Sequence, residues 1–229
     1  MKTIGVLGGL GPQATMDFEA RLHRESQRRI PPRMSGGYPP MVVHYYRRPP
    51  FILGEKGLPR MPIEPDPGLL EAARQLGAVS DFLVIPSNGP HLLQAEIERA
   101  AGRKVLSIID VTLDEVHRRG WKRVGVIGVG DPFIYTRRLD ALSIAHQVLE
   151  PERREPIDLA VFRVMEGRED DSDRRRVHDA VAWLRGRGVE GIILGCTELP
   201  LLLREHAEAA DLLNPAQLLA EAAVQLALD

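Results

Sequence analysis

The sequence predicts an α/β fold of two pseudo-symmetric lobes, each a parallel sheet flanked by helices, with a ligand site in the cleft between them. Three observations carry this. Short apolar runs end at glycine turns and alternate with amphipathic stretches, as buried parallel strands alternate with crossover helices. The segment Lys122-Arg-Val-Gly-Val-Ile-Gly128 repeats Lys2-Thr-Ile-Gly-Val-Leu-Gly8. Asp81-Phe-Leu-Val-Ile-Pro-Ser87-Asn88 likewise repeats as Glu190-Gly-Ile-Ile-Leu-Gly-Cys196-Thr197, and the stretch from Leu106 repeats as that from Asp211. Three matched segments in one order make a two-copy repeat over residues 1–119 and 121–228. The lobes are expected as 1–105 with a returning 211–229, and as 106–210.

Taken in order, Thr3 to Leu7 reads as a buried strand and Gly8-Gly9-Leu10-Gly11 as the turn after it. Pro12 suits the first turn of a helix that runs through Thr15, Phe18 and Leu22 toward Arg29. Pro31 to Pro40 is expected as a loop and Met41 to Tyr46 as a second strand. Arg47 to Pro67 is too rich in proline for regular structure, and so long an irregular segment is usually functional or mobile. Gly68 to Leu76 follows as a helix, Phe82 to Ile85 as a strand and His91 to Ala101 as a helix. Val105 to Ile109 reads as a strand and Asp110 to Arg119 as a helix capped by Asp110 or Thr112. In the second copy, Glu169-Asp170-Asp171-Ser172-Asp173 suits an N-cap and first turn, where the helix dipole favours acidic groups.

With 44% hydrophobic and 27% charged residues, the 229-residue chain has the composition of a globular protein with a sizeable core. A net charge of −2 argues against nucleic acid or an anionic membrane surface as partner. No segment approaches the roughly 18 apolar residues of a membrane span. The opening MKTIGVLGGLG reads as strand and turn rather than a signal peptide. One cysteine excludes an internal disulfide framework and fits a reducing, cytoplasmic setting.

That cysteine is the leading candidate for chemistry. Cys196 follows the apolar run Ile192-Ile193-Leu194 and Gly195, with Thr197 and Glu198 behind it. Ligands of open α/β sheets gather at the carboxyl ends of such strands. The repeat makes Ser87 its positional equivalent, so facing lobes would present Ser87 and Cys196 from opposite sides of one small molecule.

Other chemistries are less well supported. Gly9-Leu10-Gly11-Pro12-Gln13-Ala14 matches a dinucleotide fingerprint, but His44-Tyr45-Tyr46 stands where an acidic residue belongs. Backbone N–H groups of that loop are expected to bind a carboxylate instead. Of the lysines, Lys2 and Lys122 begin strands, Lys56 lies in the proline-rich segment and Lys104 precedes a strand, so none suits a pyridoxal phosphate Schiff base. The histidines show no metal-ligand spacing. Pro86-Ser87-Asn88-Gly89-Pro90-His91 lacks a nucleophile elbow, and His91 either bonds Ser87 or lines and caps the site. Glu198 is balanced between capping the next helix and joining the chemistry.

The opening Lys2 to Thr15, the motif Gly195-Cys196-Thr197-Glu198 and Asn214-Pro215 before an alanine-rich helix together resemble the aspartate/glutamate racemase superfamily, most closely its aspartate racemase type. The resemblance spans essentially the whole chain. It implies cofactor-independent catalysis in which two cysteines face each other, one thiolate removing an α-proton and the other thiol returning one to the opposite face. A thiol, with a free pKa near 8.5 and lowered at helix N-termini, suits both tasks. The family's first motif, Cys-Asn-Thr followed by His, reads here Ser87-Asn88-Gly89-Pro90-His91, with Ser87 in place of the first cysteine and Gly89 in place of a substrate-binding threonine. Arg47 or Arg48 stands where the family has a substrate-binding arginine. Relatives with one cysteine include one-sided racemases and decarboxylases that protonate an enediolate.

The expectation is therefore an amino-acid racemase of the aspartate/glutamate type with Cys196 as acid/base and Ser87 opposite. Gly8, Gly9, Gly11, Asn88, Gly89, His91, Thr197, Glu198 and Arg47 or Arg48 would contact an amino-acid or other small carboxylate substrate. No cofactor or metal is expected, and family precedent implies a homodimer. The alternatives are a cysteine-dependent decarboxylase or isomerase of a small dicarboxylate, and a carboxylate-binding protein without activity.

Overall fold

The computed structural model describes residues 1–31, 37–54 and 59–229. The chain divides into two units, Met1–Ile108 with Leu219–Asp229, and Ile109–Leu218.

In the first unit, β1 (Ile4–Gly8), α1 (Pro12–Arg29), β2 (Met41–Tyr45), α2 (Pro67–Gly77), β3 (Phe82–Val84), α3 (Gln94–Ala101) and β4 (Val105–Leu106) follow one another, with a 3-10 turn at Gly89–Leu93. The strands form one parallel sheet in the order β2-β1-β3-β4. All of β1 and β3 is buried, as expected for strands covered by helices on both faces. Tyr46, Leu69, Leu76, Leu83, Ile85 and Ile97 belong to the core cluster of this unit. Each such side chain stabilises the fold by about 1.5–3 kcal/mol on burial.

The second unit takes in most of α4 (Ile108–Arg118), then β5 (Arg123–Ile127), α5 (Phe133–Ala141), β6 (Ala145–Val148), α6 (Pro151–Met165), α7 (Asp171–Arg185), β7 (Gly191–Leu194), α8 (Leu199–Leu203), a 3-10 turn at Arg204–Glu208 and β8 (Leu212–Leu213). Its parallel sheet has the matching order β6-β5-β7-β8. The final helix α9 (Pro215–Leu228) begins in this unit, and its residues from Leu219 count with the first, where the Lys2 N–H donates to the Ala227 carbonyl at 2.8 Å. The divisions thus fall at 108/109 and 218/219, beyond the expected 105/106 and 210/211. The second shifts because β8 pairs with β7 and keeps its surroundings in the second sheet.

Strand register fixes the internal repeat residue by residue. Ile4 pairs with Phe82 and Val6 with Val84; Val124 pairs with Gly191 and Val126 with Ile193. Phe82 therefore corresponds to Gly191, and counting onward places Ser87 on Cys196, Asn88 on Thr197 and Gly89 on Glu198. The same register sets Val105 on Leu212, so the repeat from Leu106 continues at Leu213 and not at Asp211.

Two expectations about elements change. The apolar run Val105 to Ile109 is a strand only at Val105–Leu106, and Ile108 opens α4, which puts Asp110 and Thr112 inside the helix rather than at its cap. The segment after Arg47 is not wholly irregular. Phe51 bridges antiparallel to Pro65 and Leu53 to Pro59, while Ile52 N–H donates to the Glu64 carbonyl at 3.0 Å and Asp66 N–H to the Pro50 carbonyl at 2.9 Å. Asp66 then caps α2 through Gly68 N–H at 2.8 Å. The acidic run behaves as expected, with Asp170 and Asp173 closing a capping box at the start of α7.

Candidate functional site

In each sheet the chain leaves the first strand for one neighbour and returns on its other side, so the topological switch lies between the carboxyl ends of β1 and β3, and of β5 and β7. The candidate residues stand at those two ends.

In the second unit, Ile192, Ile193 and Leu194 are fully buried and Gly195 turns the chain out of β7. Gly195 N–H donates to the Ile127 carbonyl at 2.6 Å, and a Cβ at this position would lie 2.9 Å from that oxygen. Only glycine lets the ends of β7 and β5 meet so closely. Cys196 follows, with part of its surface exposed, and its thiol donates to Glu198 Oε2 at 3.0 Å. The Thr197 hydroxyl donates to the same oxygen at 3.3 Å. Thr197 and Glu198 are themselves buried.

Burial pushes the Cys196 thiol well above its ordinary pKa, and the Glu198 and Asp158 charges add to the rise. Burial also raises the Glu198 carboxyl, against the pull of hydrogen bonds from Cys196 and Thr197. The resting pair is a thiol donating to a carboxylate, and Glu198 is the acceptor to which that proton can pass. This reverses the expectation of a thiol made acidic by a helix N-terminus. The following helix, α8, has only five residues, and the buried carboxylate lies nearer in effect than its dipole. Glu198 occupies the N-cap position of α8 but makes no side-chain cap; its carboxylate turns to Cys196 instead. Asp158, on α6, accepts the Gly130 N–H at 3.0 Å and so ties the turn after β5 to that helix. Tyr135 is fully buried beside Gly195, and its hydroxyl bonds Thr112.

In the first unit Ser87 is half-buried and Asn88 buried. His91 Nδ1 lies 2.9 Å from the Ser87 carbonyl oxygen, and Ile108 N–H points to His91 Nε2 at 3.3 Å. Nε2 therefore accepts and Nδ1 donates, which fixes a neutral tautomer. His91 anchors the Ser87 peptide to the start of α4, and its Nδ1 is committed to that carbonyl rather than to the Ser87 hydroxyl.

The glycine turn after β1 is partly self-satisfied. Gly9 N–H donates to Thr15 Oγ1 at 2.9 Å, and Thr15 Oγ1 donates to the Gly11 carbonyl at 3.0 Å. The N–H of Gly9 is thus taken by Thr15. Gly9 has φ 79°, and a Cβ there would lie 2.8 Å from Tyr46 N, so the position requires glycine on steric grounds. Arg47 and Arg48 are both exposed; the charge of Arg47 acts on Tyr45 and that of Arg48 on Tyr46 and Asp66.

A model of the Asp/Glu/hydantoin racemase family matches residues 7–223. The chain belongs to this family. Its fold is similar to that of an aspartate racemase homologue from Pyrococcus horikoshii OT3 (23% identity, TM-score 0.75, all of both chains). It is similar also to an aspartate racemase from Picrophilus torridus (19% identity, TM-score 0.79, 99% of this chain and 94% of that one). A glutamate racemase from Francisella tularensis in complex with D-glutamate shares 15% identity and a TM-score of 0.65, over 99% of this chain and 81% of that one.

Within this racemase-family chain, Cys196, Thr197 and Glu198 form one hydrogen-bonded cluster, and Ser87, Asn88, Gly89 and His91 one loop. Three residues escaped the sequence reading. Asp158 and Tyr135 affect the Cys196 surroundings from α6 and α5, and no local motif marks either. Phe51 lay in the segment singled out after Arg47, and a Cβ on Gly89 would be 3.8 Å from its ring. Of the lysines, Lys104 is paired with Glu98 at 3.1 Å and Lys2 and Lys122 precede β1 and β5, at the opposite strand ends from Cys196; Lys56 lies outside the described residues. Among the described residues no group of three or more His, Cys, Asp or Glu is arranged to hold a metal. No described helix is long and apolar enough to cross a membrane.

Proposed function

We propose that this chain is a cofactor-independent amino-acid racemase, with Cys196 as the acid/base at the α-carbon. The observation that carries the reading is the thiol–carboxylate hydrogen bond between Cys196 and Glu198 at the carboxyl end of β7. Glu198 takes the thiol proton, and the thiolate so formed takes the α-proton of the substrate. The electron pair of the broken C–H bond delocalises into the substrate carboxylate as an enediolate. Donors around that carboxylate, with Asn88 and Thr197 as candidates, stabilise the developing charge. A proton returned by Cys196 regenerates the starting enantiomer. One delivered through the Ser87 hydroxyl to the opposite face gives the other; solvent then reprotonates the serine, and Glu198 releases to solvent the proton it took from the thiol, which restores the starting state. Aspartate and glutamate are the first substrates to test.

The test is α-proton exchange in D2O, followed by NMR on each enantiomer. General acid–base groups contribute about 10²–10⁴-fold. Cys196→Ala should therefore lower exchange by at least about 10²-fold; exchange at the wild-type rate would remove Cys196 from the mechanism.

A second reading has its own support. In the aligned register Ser87 has glycine, Gly89, where Cys196 has Glu198, so a carboxylate-assisted acid stands at only one of the two positions. One-sided protonation suits a decarboxylase, which forms its enediolate by losing CO2 and needs only the Cys196 proton. CO2 release from a 2-substituted malonate, with no α-proton exchange in amino acids, would favour that reading.

A further inference from the structure

Among the described residues, Arg21, Arg119, Arg163, Arg174 and Arg176 are drawn in from full exposure, and each is ion-paired with an Asp or Glu. Arg154 is drawn in too, yet no described carboxylate pairs with it. Its Nε is buried without a hydrogen-bond partner, and its outer Nη1 and Nη2 make no bond to the described chain. A guanidinium carries five N–H donors in a planar fork and cannot shed its charge. Leaving it partly desolvated and unanswered is costly, and an anion is the partner that offsets the cost.

The second sheet sets where this arginine stands. β6 runs parallel to β5, so both end at the edge where β7 delivers Cys196, and α6 starts from that edge at Pro151. Arg154 lies one helical turn before Ile157 and Asp158 and shares their side of α6. Ile157 belongs to the core cluster against which Cys196 packs. Asp158 holds the turn after β5 through Gly130 N–H at 3.0 Å, and a Cβ on Gly128 in that turn would lie 3.7 Å from the Gly195 carbonyl oxygen. The Arg154 charge acts on Asp158 without forming an ion pair, and the Asp158 charge acts on the Cys196 thiol. Arg154, Asp158 and Cys196 each keep part of their surface exposed.

We propose that Arg154 is a substrate-binding residue of the Cys196 site and holds a carboxylate of the substrate in its guanidinium fork. The inference rests on the racemase reading for the identity of the ligand, and on the unanswered arginine for the contact. Two parallel, charge-assisted N–H···O bonds match the geometry of a carboxylate. Lysine would keep the charge and lose the fork. A hydrogen bond to a charged group changes affinity by roughly 10- to 100-fold.

Two arms separate the contact from the reaction. In the first, calorimetry follows succinate binding to Cys196→Ala, where no turnover interferes, and to the same protein carrying Arg154→Gln, Arg154→Lys or Arg47→Gln. Arg154→Gln should weaken succinate by roughly 10- to 100-fold and Arg154→Lys by less, with denaturant melts little changed. Succinate binding that is absent, or unmoved by Arg154→Gln in a folded protein, would overturn the assignment. A loss seen in Arg47→Gln and not in Arg154→Gln would overturn it too, by moving the carboxylate to the first unit. In the second arm, α-proton exchange of both enantiomers of aspartate and glutamate is measured in Arg154→Gln with Cys196 intact. KM should rise by a similar factor while kcat falls less. A lower melting midpoint with KM unchanged would reduce Arg154 to a structural neighbour of Asp158 and sink the proposal. Succinate binding that depends on Arg154, with no exchange of either amino acid by wild type, would keep the contact and discard the racemase reading.

Discussion

At the scale of single residues, Cys196 and Glu198 share one proton problem. Both are pushed toward their neutral forms by burial; the Glu198 charge makes ionisation of the thiol harder, while the thiol's hydrogen bond eases ionisation of Glu198. Removing the carboxylate should therefore lower the thiol pKa. In Glu198→Gln, alkylation of Cys196 by iodoacetamide is expected to reach its half-maximal rate at lower pH than in wild type, while α-proton exchange falls by about 10²-fold or more because the thiol has lost its proton acceptor. An unmoved alkylation profile would mean that Glu198 does not act on the thiol. The stability effect has the opposite sign to the activity effect. A carboxyl whose folded pKa is raised contributes stability fully present below its ordinary value of 4.5 and lost as pH rises through the folded pKa. Ionising Glu198 within the fold is thus a cost, and Glu198→Gln should gain in stability on wild type as pH rises from 4 to 7. Denaturant melts at pH 7 and pH 4 check this: the advantage should shrink at the lower pH. None of this was legible in the order Cys-Thr-Glu. The sequence places a carboxylate two residues from a thiol, but burial decides whether the thiol becomes more or less acidic, and burial is a tertiary property. His91 shows the same limit, since its spacing from Ser87 suited a bond to the hydroxyl and its ring binds the carbonyl instead.

At the scale of elements, the apolar runs that end at Gly8, Val84, Ile127 and Leu194 were readable because parallel strands covered on both faces have little choice but to be continuous and apolar. The run from Val105 to Ile109 was misleading for the same reason. A short apolar stretch fits a strand and a buried helical turn equally well, and here both occur within it. The ladder between Pro50 and Asp66 was hidden by its prolines. Among the described residues Ile52, Arg60 and Asp66 donate its backbone hydrogen bonds, so its prolines fall at positions whose N–H the ladder does not use. Gly195 offers a test of how tightly such elements set the site. A methyl group at 2.9 Å from the Ile127 carbonyl oxygen must move the end of β7. Gly195→Ala is expected to destabilise the fold by about 1–3 kcal/mol and to lower exchange through displacement of the Cys196 thiol. Wild-type melting together with wild-type exchange would show that the strand ends absorb the methyl group freely.

At the scale of the whole molecule, the governing fact is a repeat whose two copies have diverged in chemistry more than in fold. Two sheets of matching strand order put Ser87 and Cys196 at one structural address, three places past Val84 and Ile193 in the shared register. The scaffold around that address was kept: Gly8 closes β1 and Gly128 directly follows β5, and both copies have a short fourth strand. The side chains were not kept, since in the alignment a thiol corresponds to a hydroxyl, threonine to asparagine and glutamate to glycine. Equal scaffolds with unequal side chains predict an enzyme with one strong and one weak proton-transfer step. Wild type should exchange the α-proton of one enantiomer into D2O faster than it inverts the centre, because a hydroxyl returns a proton less readily than a thiol. Ser87→Cys should narrow that gap, raising inversion relative to exchange by at least about 10-fold. The substitution replaces oxygen by sulfur at a half-buried position and changes no backbone requirement. Chiral chromatography of product beside NMR of exchange reads the ratio directly. An unchanged ratio in a folded Ser87→Cys protein would mean that Ser87 is not the second proton donor, and that the symmetry of the chain is inherited structure without a symmetric mechanism.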